Sequence, residues 1–263
     1  MLYLLSPAKR LDYETPVPAA IERRASEPCF TARAAELIEL MRGKTPAEVA
    51  TLMKLSDPLA QLNVGRYAAW QPAADRSNSK PALLAFAGDV YAGLQASTLK
   101  TAELEWAQRH LVILSGLYGA LRPLDRLQPY RLEMGTALRN ARGKDLYAYW
   151  GDALAQYLDE RLAAARGAHV LVNLASVEYA RAALRPALQA RVVECVFEDW
   201  KDGRYRVLGF FAKRARGLMA RWAIEQRVDV PARLPGFEAE GYAFAAAASD
   251  ADRLVFRRRL APA

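Results

Sequence analysis

Residues 111–135, LVILSGLYGALRPLDRLQPYRLEMG, join a short apolar run to a stretch too broken for one helix and too polar for a core. Val112 to Leu114 supply the strand-forming side chains, and Ser115-Gly116 end the run with turn chemistry. The segment therefore reads as a buried strand opening into a loop that carries three glycines (Gly116, Gly119, Gly135), two X-Pro steps, three arginines and two carboxylates. A strand of this kind demands a sheet around it, and ligands of α/β sheets gather at the carboxyl ends of the strands. The competing reading is a plain connector with solvated arginines. Its length favours function, because long ordered loops without one are uncommon.

Three other runs behave alike. Leu2 to Leu5 stop at Ser6-Pro7 with Lys9 and Arg10 following; Ala82 to Phe86 read as a buried strand ending in Gly88-Asp89-Val90-Tyr91; Val170 to Leu174 close on Asn173 and Ser176. Between them lie helical patterns. Ala34, Leu37, Ile38 and Met41 form a stripe that Gly43 ends, and Asp12 to Pro28 is a proline-rich surface excursion. Thr45-Pro46-Ala47-Glu48 is a capping box, and Ser56-Asp57-Pro58 starts a further helix with Leu59, Leu62, Tyr67 and Trp70 as its inward face. A helix from Thr101, carrying Leu104 and Trp106, completes a right-handed crossover between the strand at Ala82–Phe86 and the one at Leu111. Lys144 to Leu162 reads as one long helix. Asp202-Gly203 marks a hairpin between Arg191–Phe197 and Tyr205–Phe211, Lys213 to Arg227 form a basic amphipathic helix, and Gly241–Phe244 and Leu254–Phe256 are late strand pieces before a basic tail at Arg257–Arg259. The expected fold is one mixed α/β domain over 1–263, with a mixed parallel and antiparallel sheet, surrounding helices and a helix-hairpin-helix-like insertion at about 45–70.

Charge narrows the partners. The formal net charge of +8 attracts polyanions, which favours nucleic acid, double-stranded or damaged DNA above all, or a nucleotide-like small molecule. No apolar run approaches membrane-spanning length, and the amino-terminal run has no basic region before it, so the chain is expected in the cytoplasm with no membrane partner. Cys29 and Cys195 lack paired spacing, and His110 and His169 stand alone, so neither a zinc site nor a cofactor is expected.

Two short helices meeting at Lys54-Leu55-Ser56-Asp57 resemble a device that offers helix amino termini to a DNA phosphate. The usual hairpin glycines are absent, and an ordinary packed helical pair explains the pattern as well. Candidate phosphate-binding residues are Lys9, Lys54, Arg66, Arg122, Arg131, Lys213, Arg214, Arg216 and Arg221. The strand-end groups Asp89, Tyr91, Ser115, Tyr118, Asp125, Glu133 and Asn173, with Ser6 beside them, are candidates for catalysis on a base or nucleotide. In that reading a flipped base stacks on Tyr91 or Tyr118 while a carboxylate handles the proton. The alternative is that Arg122, Asp125, Arg131 and Glu133 pair with one another and stiffen the loop. Whether the protein is an enzyme stays open.

SPAKRLDY at Ser6–Tyr13, FAGDVYAGL at Phe86–Leu94, residues 114–135, NARGKDLYAYWGD at Asn140–Asp152, NLAS at Asn173–Ser176 and FAKRARGLMARW at Phe211–Trp222 together resemble the peroxide stress protein YaaA family. The resemblance implies a role in the cytoplasmic response to hydrogen peroxide, limiting free intracellular iron and oxidative damage. It also implies DNA binding through a helix-hairpin-helix element at Thr45–Trp70 and a positively charged cleft drawing on Lys9, Arg122, Arg131, Lys213 and Arg216, within an unusual mixed α/β fold. Direct iron sequestration is the weakest reading. Asp89, Asp125 and Glu133 would have to converge, and the cations around them disfavour a metal.

Overall fold

The computed structural model describes residues 1–165 and 167–259. Eight strands form one mixed sheet. In chain order they are β1 (Leu2–Leu5), β2 (Leu111–Ser115), β3 (Gly119–Leu121), β4 (Val170–Asn173), β5 (Arg191–Lys201), β6 (Arg204–Arg206), β7 (Ala243–Phe244) and β8 (Arg253–Arg258). Across the sheet the order is β7-β8-β5-β4-β1-β2-β3, with β6 folded back on the last residues of β5. Strands β2, β1, β4, β5 and β8 are parallel, whereas β3, β6 and β7 run antiparallel to their neighbours. Every residue of β1, β2 and β4 is buried. Parallel strands covered on both faces show such continuous apolar runs instead of alternation.

The order of connections locates an opening. From β1 the chain leads towards β2 on one side, and from β4 it leads to β5 on the other. Their carboxyl ends, at Ser6 and Leu174, therefore send the chain in opposite directions, and a crevice forms between them.

The helices frame this sheet. Thr31–Arg42 (α1) buries Ala34, Leu37, Ile38 and Met41. Pro46–Met53 (α2) starts at the expected capping box: the Glu48 amide donates to Thr45 Oγ1 at 3.3 Å, and the Thr45 amide donates to Glu48 Oε2 at 2.7 Å. Lys54 then turns the chain in the left-handed region (φ 53°) into Asp57–Ala69 (α3). The inward face of α3 differs from the expected one. Ala60, Asn63 and Tyr67 are buried, while Leu59 and Leu62 are exposed. Small Ala60 lets the helix approach, and Asn63 satisfies its amide by donating to the Leu59 carbonyl at 2.7 Å. Tyr67 and Trp70 fasten the hairpin to the body: Tyr67 Oη donates to the Arg131 carbonyl, and Trp70 Nε1 donates to Tyr118 Oη at 2.8 Å.

Four further expectations need correction. Ala82–Ala85 is one helical turn, and only Phe86–Ala87 are extended, pairing with Arg10–Leu11 outside the main sheet. No crossover unit begins there. Ala-Leu-Leu-Ala is strong helix-forming sequence, and a run this short has no period to decide its state. The helix read over Lys144–Leu162 is broken at Gly151 (φ 50°) into Leu146–Trp150 and Ala153–Ala164. The hairpin at Asp202-Gly203 forms, both residues at positive φ, yet its second strand ends at Arg206. Phe210 and Phe211 then belong to the helix Gly209–Glu225. The basic tail is also not a tail, for Arg257 and Arg258 lie in β8. There Arg258 is buried against Asp199 at 2.7 Å, and Arg257 pairs with Glu198 at 2.9 Å.

Two glycines set one contact that matters for the site. The short helix Asp89–Leu94 crosses Gly209–Glu225 backbone to backbone. A Cβ on Gly93 would lie 2.3 Å from the Arg214 carbonyl oxygen, and one on Gly217 would lie 1.8 Å from that of Val90. Only glycine at both positions permits this approach.

Candidate functional site

The crevice between the ends of β1 and β4 is a cavity of about 340 Å³. Five segments line it. Ser6–Arg10 come from the end of β1, and Ala87–Tyr91 lead into and begin the short helix Asp89–Leu94. Tyr130–Glu133 belong to the loop after β2 and β3, Ser176, Glu178 and Tyr179 follow β4, and Lys213 and Arg216 project from Gly209–Glu225. Sheet topology thus supplies two walls, and the Gly93/Gly217 crossing holds Asp89 and Tyr91 against Lys213 and Arg216.

Hydrogen bonds fix the floor. The Ser176 amide donates to Ser6 Oγ at 2.8 Å, which ties the two strand ends together across the opening. Tyr91 Oη donates to the Ser6 carbonyl at 3.0 Å, and Tyr130 Oη and Ser115 Oγ share a hydrogen at 2.6 Å. Burial pushes the phenols of Tyr91, Tyr130 and Tyr179 upward. They stay protonated at neutral pH and offer hydrogens and ring surface, not a base.

The charged side chains divide by their partners. Glu133 accepts from Lys9 Nζ at 2.7 Å and from Arg131 at 3.1 Å, so three of the lining charges are tied together. Glu178 Oε1 accepts the Gly135 amide at 2.8 Å. Asp89 stands in the first turn of its helix. Arg216 is different. Its Nε is buried with no hydrogen-bond partner among the described residues, and desolvation depresses its pKa against the opposing pull of the Glu194 charge. Arg131 Nε is likewise buried without a partner. Nearby Arg66 is half-buried, its pKa lowered by desolvation and also by the Arg131 charge.

The sequence candidates fall into two groups. Lys9, Asp89, Tyr91, Arg131, Glu133, Lys213 and Arg216 line the cavity. The remainder stand elsewhere. Ser115 is fully buried beneath the floor and accepts the Tyr118 amide at 2.9 Å. Tyr118 is enclosed by Trp70 and Gln128, its phenol pushed up to about 12 by burial. Asn173 turns back to accept the Ala175 amide at 3.0 Å. Arg122 and Asp125 pair with each other at 2.9 Å, away from the cavity. For these two the stiffening role is what the geometry displays. Arg214 is held bidentate by Glu240, and Arg221 donates to the Leu94 and Gln95 carbonyls and pairs with Glu225 at 2.8 Å. Lys54 is exposed at the hairpin turn, outside the lining, and Asp57 places a carboxylate in the first turn of α3. Asp89, Asp125 and Glu133 do not converge. Among the described residues no group of three or more His, Cys, Asp or Glu side chains is placed to hold a metal.

Tyr130, Ser176, Glu178 and Tyr179 line the cavity without having been singled out as candidates. Three of them follow β4 directly, the same strand-end signal that flagged Asp89 and Tyr91. Tyr130 lies inside the irregular loop, where only the fold reveals which residues turn inward.

Comparison with known proteins agrees with the extent of these motifs. The profile of the family described as peroxide stress protein YaaA matches residues 1–248. A UPF0246 protein of Leptothrix cholodnii is 65% identical over 258 residues, covering 98% of each chain. Relatives of the same designation from Polaromonas naphthalenivorans and Bordetella pertussis are 60% identical over 258 residues and 58% identical over 261. With a match running through all five segments of the cavity wall and relatives aligned along nearly their full length, the chain belongs to the peroxide stress protein YaaA family.

Proposed function

We propose that the protein binds the phosphate backbone of DNA along the crevice between β1 and β4, and that through this binding it serves the cytoplasmic peroxide response, limiting free iron and oxidative damage. The observation that carries the reading is Arg216. Its Nε–H is buried and unsatisfied on a half-buried side chain, which costs free energy unless a ligand completes it, and a phosphate oxygen is an acceptor that also neutralises the charge. Lys213, exposed on the preceding turn and lining the same cavity, adds a second cation. The net charge of +8 supports attraction to a polyanion. The hairpin α2–α3 contributes less, because Asp57 disfavours phosphate at the start of α3.

The test is fluorescence anisotropy of a labelled duplex titrated with protein across a salt series. Binding should weaken steeply with salt, and Lys213→Glu with Arg216→Glu should lower the slope of log K against log salt by about 2 or abolish binding. Absence of binding at low salt, or a double variant with the wild-type slope, would overturn the reading.

A further inference from the structure

The crevice is small. Its volume of about 340 Å³ falls at the lower end of small-ligand sites and is too small for a duplex. The interior is walled by Tyr91, Tyr130 and Tyr179, whereas Lys213 and Arg216 stand on one side of it. We propose that this cavity receives a single nucleoside monophosphate unit, its phosphate held by Lys213 and Arg216 and its base seated among the three tyrosines, with a preference for bases that bear an exocyclic amino group. The proposal rests on the phosphate-binding reading above and deepens it to a ligand class.

Two features argue for a base. The Tyr91 and Tyr130 hydroxyls are already committed, to the Ser6 carbonyl and to Ser115, so their rings are fixed and contribute flat apolar surface. Fixed aromatic surface suits any planar base and carries no sequence preference of its own. Preference comes instead from the polar groups inside. Glu133 is occupied by Lys9 and Arg131, which leaves Asp89 and Glu178 as the lining carboxylates without an ion-pair partner among the described residues. Glu178 uses Oε1 on the Gly135 amide, and its second oxygen has acceptor capacity to spare. A carboxylate accepts hydrogens and donates none, so it matches the exocyclic amino groups of adenine, cytosine and guanine, whereas thymine has no amino group and offers it only the ring N3–H between two carbonyls.

The rim adds an independent observation. Val177, between two lining residues, is 83% exposed, and Phe210, one turn before Lys213, is 62% exposed. Exposed apolar side chains close in sequence to lining residues suit a strand whose stack has been opened, because they can cover the base faces left behind by an extruded nucleotide.

Two measurements test this. Calorimetry with dAMP, dCMP, dGMP and dTMP should show binding of the first three and about tenfold weaker binding of dTMP, and Glu178→Gln or Asp89→Asn should narrow that gap, since an amide also donates. A duplex carrying 2-aminopurine opposite a mismatch should brighten on binding if the unit comes from a strand. Nucleotide binding without brightening assigns a soluble nucleotide as the source. Equal affinity for all four nucleotides, or no nucleotide binding and no brightening under conditions where the duplex is retained, overturns this proposal alone. Loss of duplex binding itself overturns the reading beneath it. Melting temperatures of the variants identify any that fail to fold, and the four-nucleotide comparison on wild-type protein needs no variant.

Discussion

Asp125 shows how one side chain can resemble a catalytic group and serve the loop instead. It is fully buried, accepts the Arg122 amide at 2.8 Å and Ser26 Oγ at 2.6 Å, and pairs with the Arg122 guanidinium. Asp125→Ala strands these donors, so a loss of about 3 kcal/mol is expected in urea unfolding. Duplex binding of the protein that remains folded should persist, because Asp125 lies outside the cavity. His110 gives a pH prediction. Burial lowers its pKa below the ordinary 6.5, while its ring stacks on Trp106 and Nδ1 bonds the Met1 carbonyl at 3.0 Å. The unfolded chain therefore takes up a proton first as pH falls, and the stability held by neutral His110 is fully present above 6.5 and declines from there towards the folded pKa. His110→Gln should flatten the thermal-stability profile between neutral and mildly acid pH, and an unchanged slope would show that other groups set it.

Among elements, the crossing of Asp89–Leu94 over Gly209–Glu225 has the greatest effect on the site, since each helix carries lining residues. Gly217→Ala places a methyl group into the Val90 carbonyl and must separate the helices. A loss of about 1–3 kcal/mol is expected by chemical denaturation, with weaker duplex binding as Asp89 and Tyr91 move away from Lys213 and Arg216. An alanine variant with wild-type affinity and stability would show that the crossing does not position the site. Elements also show what sequence makes legible. The capping box at Thr45, the stripe on Thr31–Arg42 and the Asp202-Gly203 turn are local chemistry, and each forms as expected. Ala82–Ala85 and the buried face of Asp57–Ala69 depended on partners distant in sequence, and there the local pattern misled. The site shows the same division: strand-end polar residues mark the cavity's neighbourhood, but whether Asn173 turns inward or back to Ala175 is decided by packing.

For the molecule as a whole, the mixed sheet and the crevice between β1 and β4 follow from where the first strand lies. Strand β1 sits between β2 and β4, and the opening exists because those neighbours continue in opposite directions. The phosphate and nucleotide proposals concern this one place, where segments scattered from Ser6 to Arg216 meet. The same placement has a temporal consequence. Leu2–Leu5 precede both flanking strands in the chain and can acquire neither until residues beyond 110 and then beyond 170 have emerged from the ribosome. An apolar strand must therefore wait with both edges bare, and distant pairings of this kind slow folding and lengthen the exposure of sticky surface. Shielding of the unfinished chain should therefore raise the yield of folded protein, independently of the stability of the finished fold.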